Sequence, residues 1–485
     1  MGRAKWMVGI AVLLVLGTVP PVRAEGPKQA KNIFLMISDG MGFNGWEAAK
    51  YYQEDGLPYD NNDFTFYGMT TYAKDPGDAA SGGADGGGYD PGKMWSDFNY
   101  HQGDIGGGYE ITDSAAAATA MYTGTKTYNG TINYGVDGEK LKTIAEYAAE
   151  QGKSTAAVSS VQFFHATPAA VAAHAESREQ KEELASEMVD SGLDVIMGGD
   201  GGQDFVDGWK EDTSDNGFNG FTVVDSDSSP DWNDLAKDTD VPDKVAGIFS
   251  GDTLDGRDNP TLRKMTKGAL NVLQKNANGM FMMVEGGAVD WKNHGNDIVN
   301  HEDDMESMLR EQEDFDDSVE EVMTWVDENS NWDESLLIVT SDHECGGIWG
   351  PDMVDENGTP NTDDEGNVIW QNVIDNGKDN LPGVQYTSSG HTNALVPMWA
   401  RGAGAELLQD LVDGTDEEAK EFWTQFGGEA SWDGSYIDNT DLFTVMHASS
   451  TVPEPGTLAL LGLGALFLGL WQARTRGKKN DTAVG

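Results

Sequence analysis

Acids and histidines that stand at the ends of apolar runs most constrain the fold of this chain. Asp39, Glu285 and Asp342 each end or follow such a run, and His391 shortly precedes another. Short apolar runs are typical of buried strands, and in α/β proteins the strand ends are where binding and catalytic groups gather. We therefore expect side chains distant in sequence to meet at one edge of a sheet.

The rest of the chain alternates between strand and helix patterns. The apolar runs lie near residues 33–37, 155–159, 194–197, 280–285, 335–340 and 394–399, and the helical patterns at 139–151, 168–188, 261–276 and 302–328. This alternation predicts an α/β layered fold with a largely parallel sheet. The acidic, turn-rich stretches 75–110, 200–260 and 350–388 are predicted to be surface insertions, whereas the aromatic residues of 403–450 predict packing on the core.

Ser114 and Arg178 predict a phosphate site with a nucleophile. Ser114 precedes an alanine-rich, helix-forming run, and a helix N-terminus favours an anion. Arg178 offers a planar fork that matches two phosphate oxygens. Asp290 and His294 are four residues apart, so one helical turn would place them on the same face. Zinc binds histidine and carboxylate groups and magnesium prefers oxygen donors, so a hydroxyl nucleophile activated by metal ions is the chemistry indicated.

Each of these residues also has a simpler explanation when taken alone. A single acid can cap a helix or form a turn, Ser114 can be a helix cap, and Thr167 before Pro168 can simply begin a helix. Arg178 can pair with nearby glutamates on a solvated helix. The chain has eight histidines, and we interpret the four outside the sequence blocks given below as structural residues: His101, His174, His301 and His447.

Six sequence blocks between residues 31 and 402 occur in an order that resembles alkaline phosphatase. The blocks are Ser38-Asp39-Gly40-Met41-Gly42, Thr112-Asp113-Ser114-Ala115, His165-Ala166-Thr167-Pro168-Ala169 with Arg178, Val284-Glu285-Gly286-Gly287 with Asp290 and His294, Ser341-Asp342-His343-Glu344, and Gly390-His391-Thr392. The resemblance implies a three-layer sandwich with a large, mostly parallel central sheet. It also implies a homodimer that hydrolyses phosphate monoesters.

The resemblance assigns a role to each residue. It implies that Ser114 attacks phosphorus and forms a phosphoserine, while Arg178 holds the non-transferred oxygens. It implies two Zn²⁺ and one Mg²⁺ per chain, with these ligands: Asp290, His294 and His391 for the first zinc; Asp39, Asp342 and His343 for the second; Asp39, Thr167 and Glu285, with His165 beside them, for magnesium.

Three positions qualify the resemblance. His165 stands where the best-known bacterial form has Asp, and Trp291 stands where that form has Lys. His165 leaves the third metal open between magnesium and zinc. Cys345, the only cysteine, excludes an internal disulfide, and we interpret it as a buried thiol because the zinc ligand sets are already complete.

Both ends of the chain resemble targeting signals. Residues 1–24 have basic residues, an apolar core and Val22-Arg23-Ala24 before Glu25, which predicts a secretory signal peptide and a catalytic domain spanning 25–450. Residues 451–485 contain Val452-Pro453-Glu454-Pro455, an uncharged stretch 456–471 and a basic end. This tail resembles the PEP-CTERM sorting signal of Gram-negative bacteria. It implies a transmembrane segment, processing by an exosortase, and a periplasmic, surface or secreted enzyme; an ordinary membrane anchor is the alternative.

The net charge excludes some partners. With 31 basic and 83 acidic side chains, the formal charge of −52 argues against binding to nucleic acid or anionic membranes. Salt screens such charge, so we expect a saline or marine host; calcium binding by the acidic loops is the alternative. For the activity itself, the alternatives are a phosphodiesterase or sulfatase of the same superfamily, or an inactive acidic surface protein. The sulfatase motif is absent around Ser114, and Ser114 with Thr167 and Glu285 favours monoesters.

Overall fold

The computed structural model describes residues 28–53, 56–74, 88–102, 111–211, 218, 220–225, 231–237, 240–254, 259–294, 302–428 and 431–450. The predicted signal peptide and sorting segment lie outside these ranges. Within them, no helix combines the length and apolar character needed to cross a bilayer. The predicted span 456–471 falls in the sorting segment and stays a prediction.

The described residues form fifteen strands, eleven of which make one large sheet. The strands are β1 (Asn32–Ser38), β2 (Thr65–Thr70), β3 (Ser154–Gln162), β4 (Val195–Gly199), β5 (Thr222–Val224), β6 (Val245–Phe249), β7 (Met280–Gly286), β8 (Ser335–Thr340), β9 (Glu344–Cys345), β10 (Ile348–Trp349), β11 (Gln385–Tyr386), β12 (His391–Thr392), β13 (Val396–Gly402), β14 (Gly414–Thr415) and β15 (Ser435–Asp438). The large sheet has the order β14-β15-β2-β13-β8-β1-β7-β3-β4-β6-β5, while β9 with β12 and β10 with β11 form two small antiparallel pairs. Strands β8, β1, β7, β3, β4, β6 and β5 are parallel, and β13 is antiparallel to its neighbours β2 and β8.

Helices cover both faces of this sheet. The α-helices are Phe43–Tyr52, Pro91–Ser96, Phe98–Gln102, Ser114–Thr123, Ile144–Glu150, Ala166–Ala169, Lys181–Asp190, Asp204–Glu211, Trp232–Leu235, Leu262–Leu273, Ala288–Asn293, Glu302–Asn329, Glu417–Phe422 and Thr440–Ser450, and Ala405–Asp410 is a 3₁₀ helix. Strand β1 shows why both faces are apolar. Ile33, Leu35 and Ile37 pack in one core, Phe34 and Met36 pack in the other, and all five are fully buried. Successive strand residues point to opposite faces, so the middle of a strand that is covered on both sides is apolar throughout. The predicted three-layer α/β architecture is confirmed.

The predicted strands match β1, β3, β4, β7, β8 and β13 to within a few residues. The stretch 200–260 is more than a surface insertion, because β5 and β6 extend the main sheet within it. Likewise, the described part of 75–110 contains two short helices. Short strands and helices inside acidic segments show too little periodicity to be recognised.

The helix predicted over 168–188 is wrong in its first half. The chain forms a short helix at Ala166–Ala169 and a second one only at Lys181–Asp190. Buried Asn133 explains the break, since its amide donates 2.7 Å hydrogen bonds to the carbonyls of Ala170 and Ala173. Those carbonyls are bonded to a side chain from a distant segment. The chain between the two helices is therefore not helical, and it carries Arg178 to Asp113 and His165.

The segment 403–450 packs on the core, as expected. Trp423, Phe426 and Trp432 are buried, and all three surround Phe43. Two of these contacts are stacked, with ring centroids 4.3 and 4.9 Å apart for Trp423 and Trp432. The C-terminal part of the described chain is therefore an integral part of the domain.

Candidate active site

The carboxyl ends of three adjacent parallel strands bring the predicted acids together. Ile37 of β1 aligns with Glu285 of β7 and with Thr340 of β8, so Asp39, Glu285 and Asp342 leave the sheet side by side. All three are fully buried. Gly40 permits this approach: its φ of 73° is left-handed, and a Cβ would lie 2.8 Å from the Asp290 backbone.

Ser114 is the first residue of the helix Ser114–Thr123. The helix cap is Asp113, whose side chain accepts from the Ala116 amide at 2.9 Å, so Ser114 does not serve as the cap. Its Oγ lies 3.2 Å from His343 Nε2 and is buried. The hydroxyl is thus at a helix N-terminus, where backbone N–H groups favour an anion.

His343 Nε2 lies at the centre of one group of potential metal-ligand atoms, which is called the second group because the resemblance assigns it to the second zinc. It is 3.4 Å from Asp39 Oδ1 and 3.3 Å from Asp342 Oδ2, and Ser114 Oγ is at a similar distance. Two ligands about 2.1 Å from one tetrahedral ion are about 3.4 Å apart, so this spacing suits atoms that share a cation. Burial, reinforced by His391, holds the pKa of His343 well below its usual range, which leaves a neutral imidazole.

Another group of potential metal-ligand atoms, called the first group because it contains the residues assigned to the first zinc, comprises Asp290, His294, His391 and Cys345. The predicted helical turn is confirmed, with Asp290 Oδ2 3.3 Å from His294 Nε2. Asp290 Oδ1 is 3.5 Å from His391 Nε2. Cys345, interpreted from sequence as a thiol outside the ligand sets, has its Sγ within 4.8 Å of the ligand atoms of the other three.

The two histidines of this group show that a cation fits between them. Nδ1 of His294 lies 2.9 Å from the Ser389 carbonyl, and Nδ1 of His391 lies 2.8 Å from the Thr112 carbonyl. A carbonyl can only accept, so both Nδ1 atoms carry a proton, and the neutral form of each ring presents a bare Nε2. Those two Nε2 atoms are 3.2 Å apart. A shared cation resolves the repulsion of two lone pairs at this distance, and hydrogen bonding of the second ring nitrogen is the usual arrangement of metal-bound histidine.

A third group comprises Asp39, Glu285 and His165, with Thr167 beside it. Both oxygens of Asp39, Oε1 of Glu285, Oγ1 of Thr167 and Nδ1 of His165 are buried without a hydrogen-bond partner. Burial raises the pKa of Glu285 to about 8, and burial together with the charge of Asp342 raises that of Asp39. Unpaired buried oxygens of this kind are costly unless a cation binds them, so the donor set fits a divalent metal ion.

Arg178 faces these groups across the mouth of the site. Its Nη1 donates to Asp113 Oδ2 at 2.9 Å, and its Nη2 lies 3.1 Å from His165 Nε2. It therefore does not pair with the glutamates of the neighbouring helix. Arg178, His165 and Trp291 line a cavity of 540 Å³, and the Trp291 ring lies edge-on to His165 with centroids 5.7 Å apart.

The structure thus brings together all eleven residues predicted for the site: Asp39, Ser114, His165, Thr167, Arg178, Glu285, Asp290, His294, Asp342, His343 and His391. Sequence reasoning missed Ser159, which donates a 2.5 Å hydrogen bond to Glu285 Oε2. It considered Cys345 and interpreted it as a buried thiol; the thiol is buried and lies in the first group. Ser159 is on β3 beside Glu285, which only strand pairing reveals. His101, His174 and His447 lie outside the three groups, and His301 lies outside the described residues.

Comparisons with known proteins identify the family. The alkaline phosphatase family model matches residues 99–359, more than half of the chain, and a PEP-CTERM protein-sorting motif matches residues 451–476. The sorting motif indicates export through an exosortase-type system.

Individual relatives extend the match over most of the chain. Alkaline phosphatase 3 of Bacillus subtilis is 28% identical over 85% of this chain and 95% of its own length. The Escherichia coli alkaline phosphatase is 25% identical over 80% and 84%. The structure of alkaline phosphatase from the Antarctic bacterium TAB5 shares the fold, with a TM-score of 0.58, 23% identity, and coverage of 87% of this chain and 98% of that one. The chain therefore belongs to the alkaline phosphatase family of metal-dependent phosphoric monoester hydrolases.

Proposed function

We propose that this enzyme hydrolyses phosphate monoesters outside the cytoplasm through a phosphoserine at Ser114. The observation that carries the proposal is the position of the Ser114 hydroxyl. It is buried at a helix N-terminus, 3.2 Å from His343 Nε2, and it lies among three groups of ligand-type atoms. A hydroxyl in such surroundings is poised to be a nucleophile rather than to cap the helix.

The proposed metal content is two Zn²⁺ and one Mg²⁺ per chain. The ligands would be Asp290, His294 and His391 for the first zinc; Asp39, Asp342 and His343 for the second; and Asp39, Thr167 and Glu285, with His165 beside them, for magnesium. When bound, the ions would stabilise negative charge on the attacking and leaving oxygens and lower the pKa values of the serine hydroxyl and of water. The two sets in which histidine is a ligand suit zinc, and the set of oxygen ligands suits magnesium.

The protein groups then perform two displacements at phosphorus. The Ser114 hydroxyl gives its proton to solvent and Oγ attacks phosphorus; the bond from phosphorus to the alcohol oxygen breaks, and the alcohol leaves with a proton taken from water. Water next gives a proton to solvent and attacks the phosphoserine from the side that the alcohol left; the bond from phosphorus to Ser114 Oγ breaks, Oγ takes up a proton, and inorganic phosphate is released. Arg178 holds two non-transferred oxygens through its paired N–H groups, which orients the phosphoryl group toward Ser114.

The site also supports a preference for monoesters. Arg178, the N–H groups at the helix N-terminus and the three proposed metal ions all attract negative charge. A monoester carries two ionised oxygens and a diester only one, so the monoester gains more electrostatic stabilisation from these groups. This is the reason to prefer the monoesterase over a diesterase of the same superfamily.

The remaining proposals concern location and assembly. The sorting motif supports delivery to the periplasm, the cell surface or the medium of a Gram-negative bacterium, with residues 451–485 as a membrane segment until an exosortase processes them. The charge of −52 supports a saline habitat, and the resemblance supports a homodimer without nucleic-acid partners. Sedimentation of the purified protein would test the dimer, and the salt dependence of its thermal unfolding would test the habitat.

The decisive experiment compares three substrates and one variant. The purified enzyme with zinc and magnesium would be assayed at alkaline pH on an aryl phosphate monoester, a diester and a sulfate ester. We expect chelator-sensitive turnover largely confined to the monoester, and phosphate trapped on wild-type protein but not on Ser114→Ala with its metals retained. Faster hydrolysis of the diester would reject the monoesterase, and unchanged turnover in Ser114→Ala would reject the nucleophile.

A further inference from the structure

We propose that Cys345 is a fourth protein ligand of the metal ion held by Asp290, His294 and His391. This inference rests on the proposed function, because it concerns one of the same metal sites. It goes beyond the ligand set implied by the resemblance, which holds this ion with one carboxylate and two imidazoles. Cys345 is also the only cysteine in the chain.

The geometry of the group carries the proposal. The ligand atoms of Asp290, His294, Cys345 and His391 all lie within 4.8 Å of one another. Zinc is bound at about 2.3 Å by sulfur and about 2.1 Å by nitrogen, so a tetrahedral site separates these atoms by roughly 3.6 Å. No pair of the four atoms is therefore separated by more than about 1.2 Å beyond the spacing of a tetrahedral site.

Strand pairing explains why the thiol reaches this position. Cys345 of β9 stands directly opposite His391 of β12 in an antiparallel pair. Directly opposed residues project from the same face, so Sγ lies beside the metal-facing imidazole. The Cys345 amide fixes the strand by donating to the Gly40 carbonyl at 2.9 Å. The preceding Glu344 points the other way, where it accepts hydrogen bonds from Thr392 Oγ1 and the Ile348 amide.

A second observation separates a ligand from a thiol that merely fills space. Asp290 is 4% exposed, and its Oδ1 has no hydrogen-bond partner, although it lies 3.5 Å from His391 Nε2. The two bare Nε2 atoms of His294 and His391 lie at the same place. These donors converge on one position, where Asp290 and Cys345 form the buried side and His294 the exposed side, and a zinc ion there could still take a substrate or water oxygen as a fifth ligand.

Thiolate ligation would change which metal the site prefers. On binding, the thiol gives its proton to solvent and the sulfur forms one bond to the ion, with no change of oxidation state. Sulfur favours zinc and cobalt strongly over magnesium, whereas a site of oxygen and nitrogen donors discriminates less. The expected property is a site that retains zinc in a large excess of magnesium.

Cobalt substitution tests the ligand directly. The metal-free full-length enzyme would be titrated with Co²⁺ alone while its absorption is recorded. We expect visible bands of tetrahedral cobalt together with a near-ultraviolet sulfur-to-cobalt charge-transfer band, which only Cys345 can supply. Cys345→Ser should lose that band and bind cobalt about 10-fold or more weakly, whereas Glu344→Gln, the neighbour on the opposite face, should keep the band.

Each outcome decides between the two proposals. Visible bands of bound cobalt without the charge-transfer band overturn thiolate ligation and leave the proposed phosphatase site standing. No cobalt binding at all overturns both. X-ray absorption of the wild-type zinc enzyme gives an answer that does not depend on a variant folding: a zinc–sulfur distance near 2.3 Å supports ligation, and only nitrogen and oxygen neighbours reject it.

Discussion

Replacing Arg178 tests how the site recognises phosphate. The Arg178 side chain is 22% exposed, and its two terminal nitrogens bond to Asp113 and His165 at 2.9 and 3.1 Å. Both nitrogens therefore lie at the cavity wall, one of them bonded to the cap residue of the helix that begins with Ser114, with their N–H groups already oriented. Arg178→Ala removes both donors and the positive charge together.

The expected loss follows from the two hydrogen bonds. A hydrogen bond to a charged group contributes about 1.5 to 3 kcal/mol, so two contribute about 3 to 6 kcal/mol. Partial exposure places the effect at the lower end, about 3 to 4 kcal/mol, which corresponds to roughly 10²- to 10³-fold in kcat/KM. The fold should be nearly unaffected, because Asp113 keeps its bonds from the Ala116 and Gly130 amides and an exposed ion pair contributes at most about 1 kcal/mol.

Steady-state kinetics on an aryl phosphate monoester would measure this loss. Arg178→Lys keeps the charge without the fork, so we expect it to recover only part of the activity. Arg401→Ala is a matched control, since Arg401 is 20% exposed and pairs with Asp63 away from the site. A loss below about 5-fold in Arg178→Ala, or full recovery with lysine, would refute paired recognition of phosphate oxygens.

Three further predictions concern metal binding, pH and packing. His343→Ala should lower both zinc content and turnover, since the imidazole lies among Asp39, Asp342 and Ser114; a variant with full zinc content measured by mass spectrometry would contradict its role as a ligand. Burial raises the pKa of Glu47 from 4.5 to about 7, so its contribution to stability is complete below pH 4.5 and lost as pH rises through 7. In denaturant titrations, the free energy of unfolding of Glu47→Gln should therefore exceed that of wild type by about 2 to 3 kcal/mol at pH 8 and equal it near pH 4. Glu418 is exposed, so Glu418→Gln should show no such difference between the two pH values. Phe43→Ala should lower the free energy of unfolding by about 3 to 5 kcal/mol, because the ring stacks on Trp423 in the buried core, and a loss under 1 kcal/mol would show that the C-terminal segment packs only loosely.

Several features of this protein can be determined from the sequence alone. The central positions of a buried strand are apolar because both faces are covered, so β1, β7 and β8 are visible as continuous apolar runs. Ligand-type residues at the ends of those runs identify the site, because parallel strands carry their carboxyl ends to one edge. The order of the six blocks adds the family, and the C-terminal segment adds the sorting motif.

Local patterns fail where distant groups decide the conformation. The helix predicted over 168–188 is interrupted because Asn133 binds the carbonyls of Ala170 and Ala173, and this interruption lets Arg178 turn toward Asp113 and His165. Strand β6 becomes a sheet strand only because it lies between β4 and β5, where all five of its residues are buried.

The tertiary structure alone decided which atoms face each other within the site. The tautomers of His294 and His391 follow from carbonyls supplied by Ser389 and Thr112, which no spacing in the sequence reveals. The position of Cys345 follows from its pairing with His391, a residue far along the chain. A sequence specifies which donors are present, but a metal site depends on distances of a few ångströms between donors from different strands, and only the folded chain sets those distances.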